Sequence, residues 1–357
     1  MKYYAIPARE MTSLHIARWT EIHKMYPLYA SPYFHPGFTL AAAAVRNETF
    51  VGIIENKGVC EGFFPFHRSR GGIARPIGLG LSDYHGVVIS PDLDWSAEEL
   101  MRGCRLKRWE FDHLLAAQKQ FLPYHEKVYE SPVIDVSEGF VTFQDQLDKA
   151  GRKQFKESQR KQRKLQEQVG PTSFSLHSEK KDILRTLMQW KSEQCRRTGT
   201  VDYFSLKWCV KFIDLLHSSG EDDFGGMLSC LYTGDTLAAV HFSLYTEKVW
   251  HSWFPAYNHE LEEYSPGSIL LFEIIREASE RGIAYIDLGK GISLYKKRVM
   301  TGSIHVAEGC ASIPSISNHL IHIREKTEAL VKNSFLKPLL RIPGKMIKKM
   351  ERESRYK

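Results

Sequence analysis

No two of the six cysteines, Cys60, Cys104, Cys195, Cys209, Cys230 and Cys310, stand in a CxxC pair. A zinc ribbon needs such close ligand pairs, and a disulfide scaffold needs denser cysteines in a much shorter chain than these 357 residues. The thiols are read as free, buried or half-buried, with no chemistry assigned. Long apolar runs are missing too: the stretches around Phe38–Val45 and Ile269–Ile275 fall far below the roughly 20 residues that span a bilayer. The N-terminal MKYYAIPAREMTSLHIARW contains no apolar stretch ending in a small-residue cleavage site, so no signal peptide is expected. Close metal-ligand spacing is confined to His319 and His322 near the C-terminus, and no metal is expected. The expected location is the cytoplasm, with peripheral contact at the inner face of the membrane as an added expectation.

What remains is a folding composition, 43% hydrophobic and 25% charged, which excludes a chain disordered throughout. The net charge of +7 is unevenly placed. Residues 151–170 carry +5 and residues 332–357 carry +7, so the rest of the chain is mildly acidic, near −5. A nucleic-acid-binding domain would show a basic face with interleaved aromatics instead. The first basic segment, GRKQFKESQRKQRKLQEQVG, has helical composition and stops at Gly-Pro. It reads as a solvated helix face, or as a helix facing a phosphate-rich ligand, or as a surface for RNA. The second basic segment is broken by Pro338 and Pro343. It is either a polar tail or a segment that inserts Phe335, Leu336, Leu339, Leu340 and Ile342 while its lysines meet anionic lipid.

Strands are expected at Thr49–Glu55 and Cys60–Phe66 around Asn56-Lys57-Gly58, and at Tyr129–Val136. Leu81–Ser90 reads as a loop entering a short strand, and Trp95–Cys104, Phe111–Gln120 and Phe143–Ala150 as helices. After the basic helix come a strand at Thr172–Leu176 and helices at Lys181–Arg197 and Leu206–Ser218. A meander follows at Gly226–Leu231, Thr236–Tyr245 and Val249–Tyr257, then a helix at Ser268–Arg281 and a strand at Ile283–Leu288. A right-handed crossover makes that last strand parallel to a meander strand, in a mixed α/β or α+β sheet with helices on its faces.

Chemistry is expected where the crossover helix begins. In Tyr264-Ser265-Pro266-Gly267-Ser268, proline at the first helical position, a glycine allowing close approach and the free N–H groups of a first turn could seat a phosphate. Across the crevice, Asp287 ends the short strand and Lys296 follows. Asp287 could orient or deprotonate a nucleophile, and Lys296 could neutralise developing charge. His241 and His251 are further candidate bases, and Tyr257 or Tyr295 could protonate a leaving group. Each of these also has a purely structural reading: a helix cap, a turn aspartate, a satisfied core histidine, a packed tyrosine.

The run from Gly234 to Met300 resembles the acetyltransferase domain of the CelD-like proteins, a GNAT branch found among bacterial polysaccharide-synthesis proteins. The features that carry the likeness are Ala238-Ala239, Ala256-Tyr257, Ser265-Pro266-Gly267, Ile286-Asp287-Leu288-Gly289-Lys290-Gly291 and Tyr295-Lys296. Upstream, Arg163-Lys164-Leu165, the Lys191 and Gln194 pair, Ser31-Pro32-Tyr33-Phe34 and Leu81-Ser82-Asp83-Tyr84 also fit. The resemblance implies tandem GNAT-like folds laid out as in Fem-type peptidyltransferases, with one at 1–145, a second at 146–310 and a basic tail at 311–357. It implies an acyl-CoA co-substrate held at Ser265, Pro266, Gly267, Ser268 and Ile269 with Tyr295. Catalysis is implied at Asp287, His241, Tyr257 and Lys296, and acceptor binding at Asp83, Tyr84, Lys191 and Gln194. The implied reaction moves an acyl group, most simply acetyl, to an amine or hydroxyl of a small-molecule or glycan acceptor of sugar type. Around Gly267 there is one glycine where the superfamily pattern has two. A Fem-type transferase using aminoacyl-tRNA and a non-catalytic scaffold of a polysaccharide-synthesis complex stay open as alternatives.

Overall fold

The computed structural model describes residues 1–220 and 223–313. Expectations for the basic tail, including its lipid contact and the His319/His322 pair, lie almost wholly outside the described residues.

The first half opens with β1 (Lys2–Pro7), α1 (Ser13–Met25) and α2 (Pro36–Val45). Thr12 caps α1 by accepting from the His15 amide at 3.3 Å, and the His35 ring caps α2 by accepting from the Gly37 amide at 3.1 Å. Strands β2 (Thr49–Asn56), β3 (Val59–Arg68), β4 (Ile73–Arg75) and β5 (Val88–Ile89) follow, then α3 (Ala97–Gly103), β6 (Arg108–Leu115) and β7 (His125–Asp135). Helices α4 (Gly139–Gln146) and α5 (Lys149–Gln168) lead into the second half. It contains β8 (Thr172–Ser175), α6 (Lys181–Thr198), α7 (Lys207–Ser218), β9 (Phe224–Thr233), β10 (Thr236–Thr246) and β11 (Val249–Tyr257). It closes with α8 (Pro266–Glu280), β12 (Tyr285–Asp287), α9 (Leu294–Val299) and β13 (Gly302–Ser312).

Among the described residues the strands join one mixed sheet, ordered β1-β2-β3-β4-β6-β13-β7-β12-β11-β10-β9-β8, with β5 on β3. This order reads alike from both edges. In each half a helix pair precedes antiparallel strands, a parallel pair follows (β4 with β6, β11 with β12), and the last strand crosses to the other half. Thus β7 pairs with β12, while β13 lies between β6 and β7. Two like folds therefore share one sheet.

Helices cover both faces. One core, with Trp19, Phe38, Phe212 and Phe242, packs α1, α2, α6 and α7 together across the two halves. A second sits under α4, α5 and α8, and a third under α3 around Phe64, Trp109 and Phe121.

The expected helix at Phe111–Gln120 is corrected by β6. Trp109 and Phe111 fill the third core, and backbone pairing to β13 over Arg108–Leu115 overrides the local Leu-Leu-Ala-Ala composition. The expected helix at Phe143–Ala150 is two helices, broken at Leu147 and restarted by Asp148, whose carboxylate accepts from the Gly151 amide at 2.7 Å. Helix α8 begins at Pro266, two residues before the expected start, as proline's fixed φ favours.

Candidate active site

The parallel pairing of β11 with β12 covers only Val249–His251 against Tyr285–Asp287. Beyond Asp287 the chain turns along β7, where the Leu288 amide donates to Pro132 O (2.9 Å) and the Gly291 amide to Glu130 O (3.0 Å). Strand β11 continues to Tyr257 without a partner on that side. The two strands part at the carboxyl end of β12, a common place for ligands in such sheets.

His251 and Asp287 stand side by side at this fork, both fully buried. His251 Nδ1 is 3.2 Å from Asp287 Oδ1, and its Nε2 is 3.1 Å from Asp83 Oδ2. These are charge contacts rather than well-aligned hydrogen bonds. Asp83 also reaches His113 Nε2 through Oδ1 at 3.1 Å, and His113 Nδ1 is 3.1 Å from Asp112 Oδ1. A chain of alternating charge, Asp287–His251–Asp83–His113–Asp112, thus runs from the fork to the surface. Burial alone would depress the His251 imidazolium, but Asp287 and Asp83 outweigh it and raise its pKa to about 9. His113 behaves alike: burial opposes, Asp112 and Asp83 prevail, and its pKa rises to about 9. Burial would lift Asp83, yet the two imidazoles hold it well below the usual carboxylate range.

The loop that carries Asp83 is bolted on both sides. Tyr84 donates its hydroxyl hydrogen to Asp287 Oδ2, and its own ionisation is pushed well up by burial and by that carboxylate. His85 Nδ1 accepts from the His113 amide at 3.3 Å, so its Nε2 carries the proton and meets Ser82 Oγ at 2.9 Å. His85, Asp112 and His113 bring possible metal-ligand atoms within 4.8 Å of one another. The His85 Nδ1 lone pair is already engaged by that amide, so the cluster is accounted for without an ion.

The structure brings Asp83, Tyr84, Asp287 and Lys296 together, with Asp287 and Lys296 engaged differently from expectation. Asp287 accepts from Ser131 Oγ (3.3 Å) and the Gly289 amide (2.6 Å) as well as from Tyr84. A fully buried carboxylate so engaged cannot face a nucleophile, which corrects its expected role as the base. The Lys296 ammonium donates to Gly289 O (2.8 Å) and Lys290 O (3.3 Å), pinning the loop after β12. Burial lowers its pKa against the pull of Asp83 and Asp287. His241 lies on β10 with Nε2 2.9 Å from Ser252 Oγ. Burial, with Lys191 and His251, pushes its pKa down to about 3, so it is a neutral core histidine. Lys191 donates to Gln194 Oε1 (2.8 Å) on α6, next to His241 rather than in the Asp83 chain. Tyr295 is exposed on α9.

At the opening of α8, Ser265 takes a left-handed φ of 51°. Pro266 has no N–H, and the Ser268 and Ile269 amides both donate to Ser265 O, at 2.9 and 3.3 Å. Among the described residues this leaves the Gly267 amide as the free donor of that turn, fewer than expected, and the Ile269 side chain is buried in the second core. Helix α5 adds what the backbone lacks. The Lys161 ammonium donates to Ser265 Oγ at 2.6 Å, and Gln154 Nε2 donates to Ser268 Oγ at 3.0 Å. A cation at the already positive end of a helix is unfavourable by itself and favours an anion there. Gly267 is open: the nearest side-chain atom to a Cβ placed on it is Tyr257 Cδ1, at 3.7 Å. The Gly267 amide and the Lys161 ammonium are thus the donors that this turn offers to an anion.

Residues 152–297, from α5 through α9, match the family described as acetyltransferase (GNAT) domain. The matched segment, less than half of the chain, is similar to a GNAT acetyltransferase domain. This likeness supports an acyltransferase, and GNAT domains use acyl-CoA as co-substrate. The similarity of fold extends beyond the GNAT domain to the first half. FemX is similar over 87% of this chain and 96% of its own, with a TM-score of 0.57 and 10% identity. A C-terminal domain (DUF2156) whose name assigns it to a lysylphosphatidylglycerol synthetase of Agrobacterium fabrum covers 87% of this chain and 95% of its own, at a TM-score of 0.54 and 13% identity. At such identities the likeness is one of fold. Comparison with curated proteins finds no match. No helix among the described residues is long and apolar enough to cross a membrane.

His251 was legible as a candidate base. Asp112 and His113 were not, because β6 reads locally as a helix and no sequence spacing links them to Asp83. The only available signal was their chemistry, an adjacent Asp-His pair.

Proposed function

We propose that the protein transfers an acyl group, most simply acetyl, from a coenzyme A thioester to an amine, and that Asp83 receives this amine at the fork. The observation that carries the reading is the Asp83 carboxylate itself. It is the acid of the buried His251–Asp287 pair's network that reaches solvent at the fork, with its side chain 25% exposed. Its low pKa keeps it negative, which suits an acceptor arriving as an ammonium ion.

The amine nitrogen attacks the thioester carbonyl, a C–N bond forms, the C–S bond breaks and its electron pair goes to sulfur. Of the two protons the ammonium loses, one ends on the sulfur and one passes to solvent. Asp83 holds the ammonium, which gives its first proton to solvent as it becomes the attacking amine and its second to the thiolate sulfur. Lys161 and the Gly267 amide hold the donor, and Tyr84, Ser131 and Gly289 fix Asp287 behind His251. The thioester is already activated, so alignment and proton removal are the main demands on these residues. The CelD-like resemblance favours an amino sugar of a polysaccharide or envelope glycan as the acceptor.

A second reading, an aminoacyl-tRNA donor, is favoured by the exposed basic row Arg152, Lys153 and Arg160 on α5, part of a groove of about 750 Å³. Thermal-shift titration with coenzyme A, acetyl-CoA and bulk tRNA separates the two. Stabilisation by acetyl-CoA, with thiol release on adding glucosamine, supports the first; stabilisation by tRNA alone overturns it.

A further inference from the structure

We propose that His113, with Asp112 behind it, is a positioning residue that fixes the orientation of the Asp83 carboxylate at the fork of β11 and β12. The inference rests on the reading of Asp83 given above, but the link it describes is testable without any acyl transfer.

The geometry is a carboxylate held from two sides. Each Asp83 oxygen lies 3.1 Å from the Nε2 of a different imidazole, Oδ1 from His113 on β6 and Oδ2 from His251 on β11. Each imidazole presents its other nitrogen to a second carboxylate, Asp112 at 3.1 Å and Asp287 at 3.2 Å. One imidazolium would leave the carboxylate free to rotate about its last torsion; two on opposite oxygens fix its plane, as outer partners fix ligands in other sites. The two grips come from different halves of the shared sheet. The second half without the first would have only His251 and could not present Asp83 at all, since Asp83 belongs to the loop between β4 and β5.

The two ends of the chain differ in access. His251 and Asp287 are sealed, whereas Asp112 has its side chain 52% exposed and His113 13%. The His113 end is therefore the side through which the charge of Asp83 communicates with solvent. In this chain the carboxylates outnumber the imidazoles three to two, so an incoming ammonium meets an excess of acidic groups. Other groups act on Asp83 as well: Lys296 and Tyr295 from α9, Tyr33 from the turn before α2, and His85 from its own loop. Of these Lys296 is the cation, and its ammonium is committed to two backbone carbonyls. His85 stays neutral, its pKa pushed down to about 3 by burial.

The test is an NMR titration of the full chain carrying [13Cε1]histidine. Two imidazole signals should titrate near pH 9, one lost in His113→Gln and the other in His251→Gln. Asp83→Asn should lower both. Asp112→Asn, a half-exposed site where folding is not at stake, should lower His113 alone. His113→Gln should raise the His251 titration, because Asp83 then acts on one imidazolium instead of two. With acetyl-CoA and glucosamine as probe, His113→Gln should cut kcat about tenfold or more with the acetyl-CoA KM unchanged, and move the acid limb of the rate profile to higher pH. A His113 signal titrating near its ordinary value and unmoved by Asp83→Asn overturns the proposal. Intact coupling in a chain that neither binds acetyl-CoA nor transfers acyl groups leaves the link standing and overturns the functional reading instead.

Discussion

His251 on β11 and Asp287 on β12 occupy the same step of a parallel register, with Nδ1 and Oδ1 3.2 Å apart, at the last rung before the two strands separate. Strand separation and charge pairing therefore coincide. The pair is sealed from solvent, and its effect reaches solvent through Asp83, which arrives from the other half of the molecule. A site of this kind exists only when both halves are folded on one sheet.

Replacing Asp83 by Asn should lower turnover by about 100-fold or more, the scale on which positioned acid–base groups act. Acetyl-CoA affinity should stay as in wild type, because the donor turn at Pro266–Ser268 lies on a different element. Steady-state kinetics with calorimetric donor titration checks both halves of the statement. Unchanged turnover would remove Asp83 from the site.

Lys161 is expected to contribute to donor binding alone. Lys161→Ala removes the ammonium beside Ser265 Oγ and should raise the acetyl-CoA dissociation constant about tenfold, a typical loss for one charged hydrogen bond. Gly267→Trp fills the open space in front of Tyr257 and should abolish binding. Neither change should alter the histidine titrations at the fork. A Lys161→Ala protein that binds acetyl-CoA normally would place the diphosphate elsewhere.

Stability should peak near neutral pH, and the sign follows from two kinds of histidine. His251 and His113 have folded pKa values of about 9, above the unfolded value near 6.5. Their stabilisation is full below about 6.5 and is lost as pH rises through about 9. His67, buried neutral with its pKa depressed by burial to about 3, works the other way. The unfolded chain takes up a proton below about 6.5 that the folded chain refuses, so stability is lost as pH falls. Urea midpoints measured between pH 5 and 10 should show both limbs, and Asp83→Asn should flatten the alkaline one. A midpoint still climbing at pH 9 would rule out the two imidazoliums.

Much of the second half was legible in the sequence. Its meander, crossover helix and short parallel strand follow from turn residues and from apolar periodicity, both of which are local. The first half was less so. Trp109 and Phe111 are buried by β13, which lies almost 200 positions downstream in the chain, and no local pattern announces that neighbour. The same distance hid the site. Asp287 and Lys296 were recognisable, but the role of Asp287 depends on Tyr84 and His251 closing over it. His113 depends on β6 being a strand. Residue types were readable; the exchange of strands that decides what they touch was not.

Gly289 offers the sharpest test of how closely the halves must meet. Its φ is +75°, a left-handed conformation that costs a residue with a side chain about 1 kcal/mol or more. A Cβ there would also stand 2.6 Å from Asp83 Oδ2 and 3.6 Å from His251 Cε1, so the strain falls directly on the Asp83–His251 contact. Either the loop after β12 shifts, weakening the Gly289 amide's hold on Asp287 and the Lys296 bond to Gly289 O, or Asp83 gives way. Gly289→Ala should therefore lose roughly 1–3 kcal/mol of stability and most of its turnover, while acetyl-CoA still binds. The same alanine at Gly291, also at positive φ (88°) but with open space in front of it, should show the backbone cost alone. If the two substitutions reduce turnover equally, the close approach of Asp83 to Gly289 is not what the site requires.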